Sequence, residues 1–229
     1  MRAAQWNEPV SVLDRILAII DVLGEDGSAL CIAEIADRTG LPKSTASRLI
    51  AQMVEKRYLT RTPVGVALGL RMFELGARAN LPRRLRAVAH PVLTDLHRAV
   101  GERVVLAVRL GSEMLKIASV QGRMDVGALR VPATTAATGK AWLAYDEVGA
   151  VTDSLRAELD DVRATSFSFD REETFPGLTA VGSPVLSPAR TPIAAVAISG
   201  PTGLMDPART APLVGAAAVA LSRRFAALR

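Results

Sequence analysis

The sequence predicts an α+β protein of two units, in which a small helical unit with one β-hairpin precedes a larger unit of strands and helices. Two observations carry this prediction. Apolar side chains recur at helical spacing from Ser11 to about residue 80, with one short β-rich interruption, and beyond Gly101 β-rich stretches alternate with helical ones. Hydrophobic residues make up 49% of the 229 residues, which is enough for two packed cores. We expect residues 1–80 to form the first unit and residues 81–229 the second.

The first predicted helix lies in the segment SVLDRILAIIDVLGEDG, which begins at Ser11. Ser11 can cap its N-terminus together with Asp14, and Gly24 is expected to end it. Helical periodicity predicts that one apolar face of this helix packs inward. The residues of that face are Leu13, Ile16, Leu17, Ile20 and Leu23.

Two more helices follow, separated by a short turn. The segment CIAEIADRTG predicts a short helix with Ile32, Ile35 and Ala36 turned inward and with Gly40 at its end. The third helix is predicted to start at Pro42, since proline is favoured in a first helical turn. Its inner face is apolar and consists of Ala46, Leu49, Ile50 and Met53. Its outer face is basic or hydroxylated and consists of Lys43, Ser44, Thr45, Ser47 and Arg48.

A β-hairpin is predicted after the third helix. The stretch YLTRTPVGVALGL is rich in β-forming residues on both sides of a turn at Pro63 and Gly65. Three helices followed by a hairpin are typical of a winged helix-turn-helix domain. The segment RMFELGARAN then returns to helical spacing with Met72, Phe73 and Leu75, which predicts a linker helix. The break at Asn80 marks the expected end of the first unit.

Charge along the chain reverses at the third helix. Residues 1–37 carry seven acidic and two basic side chains, whereas residues 38–61 carry six basic and one acidic. An ordinary amphipathic surface helix would show a similar polar face. The preceding helix, the following hairpin and the charge reversal together favour DNA binding, with the third helix in the major groove. The residues expected to contact double-stranded operator DNA are Lys43, Ser44, Thr45, Ser47 and Arg48 on the helix and Arg61 on the wing.

The second unit is predicted to begin with the helix RRLRAVAHPVLTDLHRAVGE, interrupted or kinked at Pro91. Two strands should meet at a turn at Gly111 and Ser112, and helices should follow in TGKAWLAYDEVGAVTDSLRAEL. The apolar segments LTAVGSPVL and PIAAVAISG predict buried strands, and PARTAPLVGAAAVALSRRFAAL predicts a closing helix. Central strands between helices are typical of an α+β sensor domain.

Several classes of protein are disfavoured by composition. One cysteine, Cys31, excludes an intrachain disulfide and points to a reducing compartment, so we expect a cytoplasmic protein. No stretch provides the about 20 apolar residues of a membrane helix, and the N-terminus lacks a signal-peptide pattern. His90 and His97 are seven residues apart, which does not suit a helical metal pair. We therefore expect no metal, no cofactor and no enzymatic activity, although the acidic DREE segment leaves a divalent ion as an alternative.

The chain resembles the IclR family of bacterial transcription regulators in motifs that run nearly from end to end. These motifs are LPKSTASRLI, YLTR, LGLRMFELG, AHPVLTDLHRAVGE, ATGKAWLA, FDREETFPGL, AVGSPVL and IAAVAISGP. The resemblance implies a homodimer or tetramer whose winged domains bind an operator. It also implies a GAF-like α/β C-terminal domain that binds a small organic metabolite and thereby shifts the affinity for DNA.

The resemblance further implies the residues of an effector pocket. Carried over position by position, they are Val131, Ala137, Thr138, Gly139, Asp170, Ala180 and Ser199. Ala180 stands where some family members have a cysteine, so a glyoxylate-type ligand does not follow from the resemblance. Phe167, Phe169 and Phe175 suggest an aromatic effector, although phenylalanines in strands are commonly core residues. Two alternatives remain: a DNA-binding protein without an effector, and a carboxylate-dependent enzyme.

Overall fold

The computed structural model describes residues 11–124, 127–146 and 151–227, and the chain divides into two compact units between Asn80 and Leu81. The first unit contains α1 (Val12–Asp26), α2 (Ile32–Thr39), α3 (Lys43–Glu55), β1 (Leu59–Thr62), β2 (Gly65–Leu68) and α4 (Leu70–Arg78). The rest of the chain contains α5 (Asn80–Val100), β3 (Arg103–Leu110), β4 (Glu113–Val120), β5 (Arg130–Pro132), α6 (Ala137–Leu143), α7 (Asp153–Thr165), β6 (Ser168–Arg171), β7 (Leu178–Leu186), β8 (Pro192–Pro201) and α8 (Pro207–Ala226).

Helix α1 begins as the sequence predicts. The Ser11 hydroxyl accepts a hydrogen bond from the Asp14 N–H at 3.1 Å, and the Asp14 carboxylate accepts one from the Ser11 N–H at 3.1 Å. The predicted end is wrong, because the helix continues through Gly24 and stops at Gly27, whose φ of 63° lies in the left-handed region. Gly24 occupies an ordinary helical position with open space where a Cβ would lie.

The predicted inner face of α1 is partly wrong. The fully buried residues are Ile19, Val22 and Leu23, whereas Leu13 and Leu17 are exposed. Apolar residues surround most of this helix, so its sequence contains more than one apolar stripe. Packing against α2 and α3 selects the stripe that is buried, and periodicity alone could not make that selection.

The turn between α2 and α3 is held by Thr39. Its hydroxyl donates to the Ile35 carbonyl at 2.6 Å and accepts from the Leu41 N–H at 3.4 Å. Gly40 takes a left-handed conformation with φ 69°, and buried Leu41 anchors the turn in the core. Pro42 is therefore the N-cap residue of α3, and the helix starts one residue later than predicted.

The predicted hairpin is confirmed by antiparallel β1 and β2, in which Thr62 pairs with Gly65 across a two-residue turn. The hairpin is joined to the segment before α2, because Leu30 and Val66 exchange two backbone hydrogen bonds of 2.8 and 2.9 Å. A Cβ on Gly65 would lie 2.2 Å from the Leu30 carbonyl oxygen, so this junction requires glycine. The wing is thus fixed to the helical core of its unit.

The predicted linker helix is confirmed as α4, but its apolar residues are not covered within the described chain. None of its residues is buried, and Leu70, Phe73 and Leu75 are exposed. Helix α5 runs through Pro91 as one helix, so the predicted interruption is wrong and the alternative of a kink stays a prediction. Pro91 is exposed, which allows water to satisfy the backbone carbonyl that its missing N–H leaves unpaired.

The second unit is built on a six-stranded antiparallel sheet in the order β5-β4-β3-β8-β7-β6. The largest core joins one sheet face to α5 and α8, and residues such as Val196 and Ile198 of β8 belong to it. Their neighbours Ala195 and Ala197 belong to smaller clusters that include residues of α6. The small side chains on this second face leave space between the sheet and α6. The short strands β5 and β6, of three and four residues, were not predicted from the sequence.

Candidate DNA-binding surface and ligand cavity

Helix α3 separates its residues into a buried and an exposed face, as the sequence predicts. The buried residues are Ala46, Leu49, Ile50 and Met53. Four of the five predicted DNA-binding residues on this helix are exposed, and Thr45 is half-buried. The structure therefore brings Lys43, Ser44, Thr45, Ser47 and Arg48 together on one outer surface of the first unit.

The exposed side of α3 is left without internal partners. Within the described residues, the side chains of Lys43, Ser47 and Arg48 form no hydrogen bond or ion pair, and no side chain caps the helix N-terminus. Its first backbone N–H groups and the positive end of the helix dipole therefore remain available to an anion. Such a surface can accept a phosphate at the helix start and base edges along the outer face.

The wing carries one of the predicted cations. Arg61 lies exposed on β1, close in sequence to an exposed apolar tip at Val64. Arg71, by contrast, forms an ion pair with Glu74 at 2.8 Å, and this hydrogen bond raises the pKa of Arg71 above its usual range. Arg61 is thus the more available of these two cations.

A cavity of about 70 Å³ lies on the second face of the large sheet, next to the start of α6. Its apolar lining includes Val105, Met114, Leu129, Phe175 and Leu178. Its polar or charged lining consists of Arg103, Lys116, Thr138, Asp170, Thr174 and Ser199. The mixture of an apolar wall and a few converging polar groups is typical of a small-molecule site.

Six of the seven predicted effector-binding residues line this cavity: Val131, Ala137, Thr138, Asp170, Ala180 and Ser199. Gly139 does not. A Cβ on Gly139 would lie 2.1 Å from the carbonyl oxygen of Ala133, so this position serves the close approach of α6 to the preceding chain. Of the three phenylalanines considered, Phe175 lines the cavity, whereas Phe167 and Phe169 pack against the core on the other face.

Asp170 has a clear structural role in the cavity wall. Its side chain is buried, and its Oδ1 atom accepts hydrogen bonds from the N–H groups of Glu173 and Thr174 at 2.9 and 3.3 Å. The carboxylate therefore orders the turn that follows β6. That turn brings Thr174 and Phe175 to the cavity.

Lys140 was not identified from the sequence as a residue of interest. It is only 1% exposed, and its Nζ atom contacts Glu158 Oε2 at 2.7 Å and Glu173 Oε2 at 2.6 Å. These ion pairs connect α6 to α7 and to the turn after β6. The two adjacent glutamates of the DREE segment were a signal for such a cation, because a buried lysine requires paired carboxylates.

Arg103 is the second residue that sequence reasoning missed. It begins β3, is 6% exposed, and lines the cavity beside Ser199, its partner in the antiparallel register. Nothing in the sequence marked Arg103, since it stands among other basic residues and far from the family-derived pocket positions. Its place at the cavity depends on the pairing of β3 with β8.

The described residues contain no group of three or more potential metal ligands, and the Nδ1 atom of His97 lies 2.8 Å from the Glu102 carbonyl oxygen. The glutamates of the DREE segment instead bind Lys140 and the backbone N–H of Gly177. None of the helices that the structure describes is long and apolar enough to cross a membrane.

A helix-turn-helix with an exposed basic face, on one chain with a sheet domain that holds a polar-lined cavity, defines the class of DNA-binding transcription regulators. Residues 12–63 match the IclR helix-turn-helix domain, and residues 149–223 match the bacterial transcriptional regulator IclR C-terminal domain. The chain belongs to the IclR family.

Curated relatives agree with this assignment. The transcriptional repressor IclR of Escherichia coli is 30% identical over 223 residues, which cover 84% of this chain and 80% of the relative. The acetate operon repressor of Salmonella typhimurium has the same identity and coverage. These relatives are transcriptional regulators, which confirms the prediction that the chain is not an enzyme. The chain is a transcriptional regulator with a DNA-binding helix-turn-helix domain.

Solved structures agree on the fold. An IclR homolog from Microbacterium hydrocarbonoxydans, crystallised with 4-hydroxybenzoate, is 26% identical and superposes with a TM-score of 0.84 over 95% of this chain and 100% of its own. The IclR protein of Thermotoga maritima is 24% identical, with a TM-score of 0.71 over 93% and 98% of the two chains. The predicted α+β class, with an N-terminal helix-turn-helix domain and a C-terminal α/β domain, is confirmed.

Proposed function

We propose that this regulator binds a specific operator through α3 and the wing, and that a small organic metabolite in the cavity of the second unit changes its affinity for that operator. In this proposal residues 1–80 bind DNA, and residues 81–229 bind the effector and mediate oligomerisation. The observation that carries the DNA-binding half is the exposed polar face of α3, which has no side-chain partner within the part of the chain that the structure describes. The observation that supports the effector half is the polar-lined cavity.

The proposed DNA contacts divide by chemistry. Arg48 and Lys43 have the reach to donate hydrogen bonds to guanine edges or to phosphates. Ser44, Thr45 and Ser47 are small, so they allow the helix to approach the base edges closely. Arg61 would contact the backbone from the wing, since it lies on a strand outside the recognition helix.

The size of the cavity limits the effector. A volume of about 70 Å³ corresponds to roughly five water molecules at ~10–15 Å³ each. This space suits a short organic compound, and the wall that includes Phe175 also suits an aromatic one. The 4-hydroxybenzoate complex of the Microbacterium homolog supports the aromatic class as the second candidate. The proposed effector contacts are Val131, Ala137, Thr138, Asp170, Ala180 and Ser199.

Besides the oligomerisation through residues 81–229, we propose a contact between copies of the first unit. The first unit exposes large apolar side chains on two helices, including Leu13 and Leu17 on α1 and Leu70 and Phe73 on α4. Contiguous exposed apolar groups of this kind mark interaction sites. We infer that a second copy of the chain covers them, which suits a symmetric operator. As a regulator of chromosomal genes, the protein would act in the cytoplasm.

The experiment for operator binding is a retardation assay with fragments of the promoter region beside its own gene, at low and at physiological salt. We expect a specific complex whose stability Arg48→Ala lowers by about 1–3 kcal/mol, the range for one base-reading side chain. Arg48→Lys is the matched control, because it retains the charge but loses the bidentate donor geometry. Failure of the unaltered protein to retard any of these fragments contradicts the proposed operator function.

The effector half is tested separately, by adding metabolite extracts or single compounds to the same complex. A ligand alters DNA affinity only if it binds the two conformations of the protein with different affinity. An operator affinity that no compound changes, together with the absence of any ligand in the cavity, favours a DNA-binding protein without an effector. In that case, loss of operator binding by variants of α3 would still support the DNA-binding function of the first unit.

A further inference from the structure

Four residues form a straight row across the floor of the cavity. Asp170 on β6 pairs with Ala180 on β7, Ala180 pairs with Ser199 on β8, and Ser199 pairs with Arg103 on β3. Directly paired residues of antiparallel strands share one sheet face, so all four side chains point to the same side. All four line the cavity. The row therefore runs from a carboxylate through a methyl group and a hydroxyl to a guanidinium.

The side-chain oxygens of Asp170 and Ser199, toward the two ends of the row, differ in the hydrogen bonds they form within the protein. At the acidic end, Asp170 Oδ1 accepts two backbone N–H groups of its own turn. At the basic end, the buried Ser199 Oγ has no hydrogen-bond partner among the described residues. A buried hydroxyl without a partner is unfavourable, and it marks a place where a ligand atom can restore a hydrogen bond. That atom would also lie within reach of Arg103, one strand away.

The charges at the cavity favour an anion. Among the described lining residues, Arg103 and Lys116 are cationic and Asp170 is the one carboxylate. A guanidinium at the wall matches the planar geometry of a carboxylate and can donate two parallel hydrogen bonds to it. Beyond the methyl group of Ala180, the walls formed by Phe175 and Leu178 are apolar and suit the remainder of a small organic acid.

We infer that Arg103 determines the specificity of the cavity for carboxylates: it binds the carboxylate of the effector together with Ser199, and the apolar body of the effector lies over Ala180. This inference rests on the proposed effector function. It assigns a direction to the ligand, with the acid group at the junction of β3 and β8.

The first experiment compares each of four acids with its neutral amide on the unaltered full-length protein. The pairs are pyruvate and pyruvamide, propionate and propionamide, benzoate and benzamide, and 4-hydroxybenzoate and 4-hydroxybenzamide. Binding is measured by calorimetry and by the shift in thermal unfolding temperature. We expect at least one acid to bind, and its amide to bind roughly tenfold to hundredfold more weakly, because the charge-assisted hydrogen bonds to Arg103 are lost. The smaller pairs test whether the cavity prefers a short acid to an aromatic one.

The second experiment changes the protein and keeps the acid that binds best. Arg103→Gln should weaken that acid by roughly tenfold to hundredfold while leaving its amide nearly unchanged. Ser199→Ala should weaken it by roughly threefold to tenfold, the value of one ordinary hydrogen bond. The matched control is Arg109→Gln, which removes an arginine from the same strand outside the cavity lining. Affinity for the acid should not change in this control.

The outcomes separate this inference from the proposed function. If a neutral or cationic compound binds the cavity and every acid fails, the effector function stands and the role of Arg103 is wrong. Equal binding of an acid and its amide, or an unchanged affinity in Arg103→Gln, also overturns that role. If no compound of any charge binds the cavity, the effector function fails with it. Should Arg103→Gln not fold, the acid and amide pairs on the unaltered protein still decide the question.

Discussion

The first unit carries its proposed DNA-binding residues on the outside of a packed core, whereas the second unit carries its proposed effector-binding residues in a cavity. On α3, the side chains of Lys43, Ser47 and Arg48 are exposed and have no partner among the described residues, and the opposite face of the helix is apolar. In the second unit, Arg103 and Ser199 lie within the fold itself, on the floor of a cavity. Substitutions on α3 should therefore change binding without changing stability. Substitutions at the cavity should change both.

The largest expected effect concerns the approach of α6 to the cavity. Gly139→Ala should lower the free energy of unfolding of the second unit by about 1–3 kcal/mol, because the new methyl group would overlap the Ala133 backbone. Urea denaturation followed by tryptophan fluorescence measures this change. Gly24→Ala on α1 is the control, since it meets open space in a helix and should stabilise by about 0.5–1 kcal/mol.

A Gly139→Ala protein as stable as its parent would show that α6 can move away from the preceding chain at little cost. The cavity would then be adjustable at this wall, and Gly139 could contribute to ligand selection after all. That result would support the effector contact that the family resemblance implies for Gly139.

The second effect concerns the ion pairs of Lys140. Lys140→Met keeps the apolar stem but leaves Glu158 and Glu173 without their shared cation. A fully buried pair loses about 3–5 kcal/mol when one partner is removed. These glutamates are 42% and 35% exposed, so solvent screening reduces the expected loss to about 1–2 kcal/mol.

The exposed pair of Lys56 and Glu55 in the first unit is the matched comparison for Lys140. Both of its side chains are more than two-thirds exposed, so Lys56→Met should change the unfolding midpoint very little. If Lys140→Met and Lys56→Met lower the stability equally, the buried ion pairs of Lys140 contribute no more than the exposed pair of Lys56. Both values come from the same urea titrations.

The difference between the two units also explains which of their proposed sites could be predicted from the sequence. The proposed DNA-binding face lies within one helix, so spacing along the chain was sufficient to place Arg48 outside and Leu49 inside. The inner face of α1 was predicted less well, because apolar residues surround that helix and tertiary packing selected Ile19 and Val22. Local periodicity identifies a face only when the opposite face is polar.

The cavity could not be predicted from spacing, because its floor joins residues from four strands. Arg103 and Asp170 are separated by more than sixty positions in the chain, yet they belong to one row. A shift of one residue in any of the three pairings would turn part of that row to the other sheet face. The family resemblance supplied Asp170, Ala180 and Ser199, but it could not supply an arginine that its motifs do not include.

The third prediction concerns Ser199, where a substitution in the proposed ligand site should stabilise the ligand-free protein, whereas most substitutions destabilise. Ser199→Ala removes a buried hydroxyl that lacks a partner among the described residues, so the ligand-free protein should become more stable by about 1 kcal/mol. Thermal unfolding without ligand measures this gain. Ser47→Ala on the exposed face of α3 is the counterpart and should remain within about 0.5 kcal/mol of the parent. A clear destabilisation by Ser199→Ala would mean that the hydroxyl is already satisfied in the ligand-free protein.

The smallest effect tests the local capping of the first unit. The Glu34 carboxylate accepts a hydrogen bond from the Cys31 N–H at 2.8 Å, and this bond lowers the pKa of Glu34 below its ordinary value of 4.5. A lowered pKa means that the stabilisation is present above that ordinary value and is lost as the pH falls through the folded-state pKa. Glu34→Gln should therefore lower the unfolding midpoint slightly at pH 7, and the difference from the parent should disappear toward pH 3.

The control for Glu34→Gln is Arg48→Ala, measured in the same titration. It should show no such pH dependence, because no acidic group pairs with that side chain among the described residues. A Glu34→Gln difference that persists unchanged at pH 3 would show that the charge of this carboxylate does not stabilise α2.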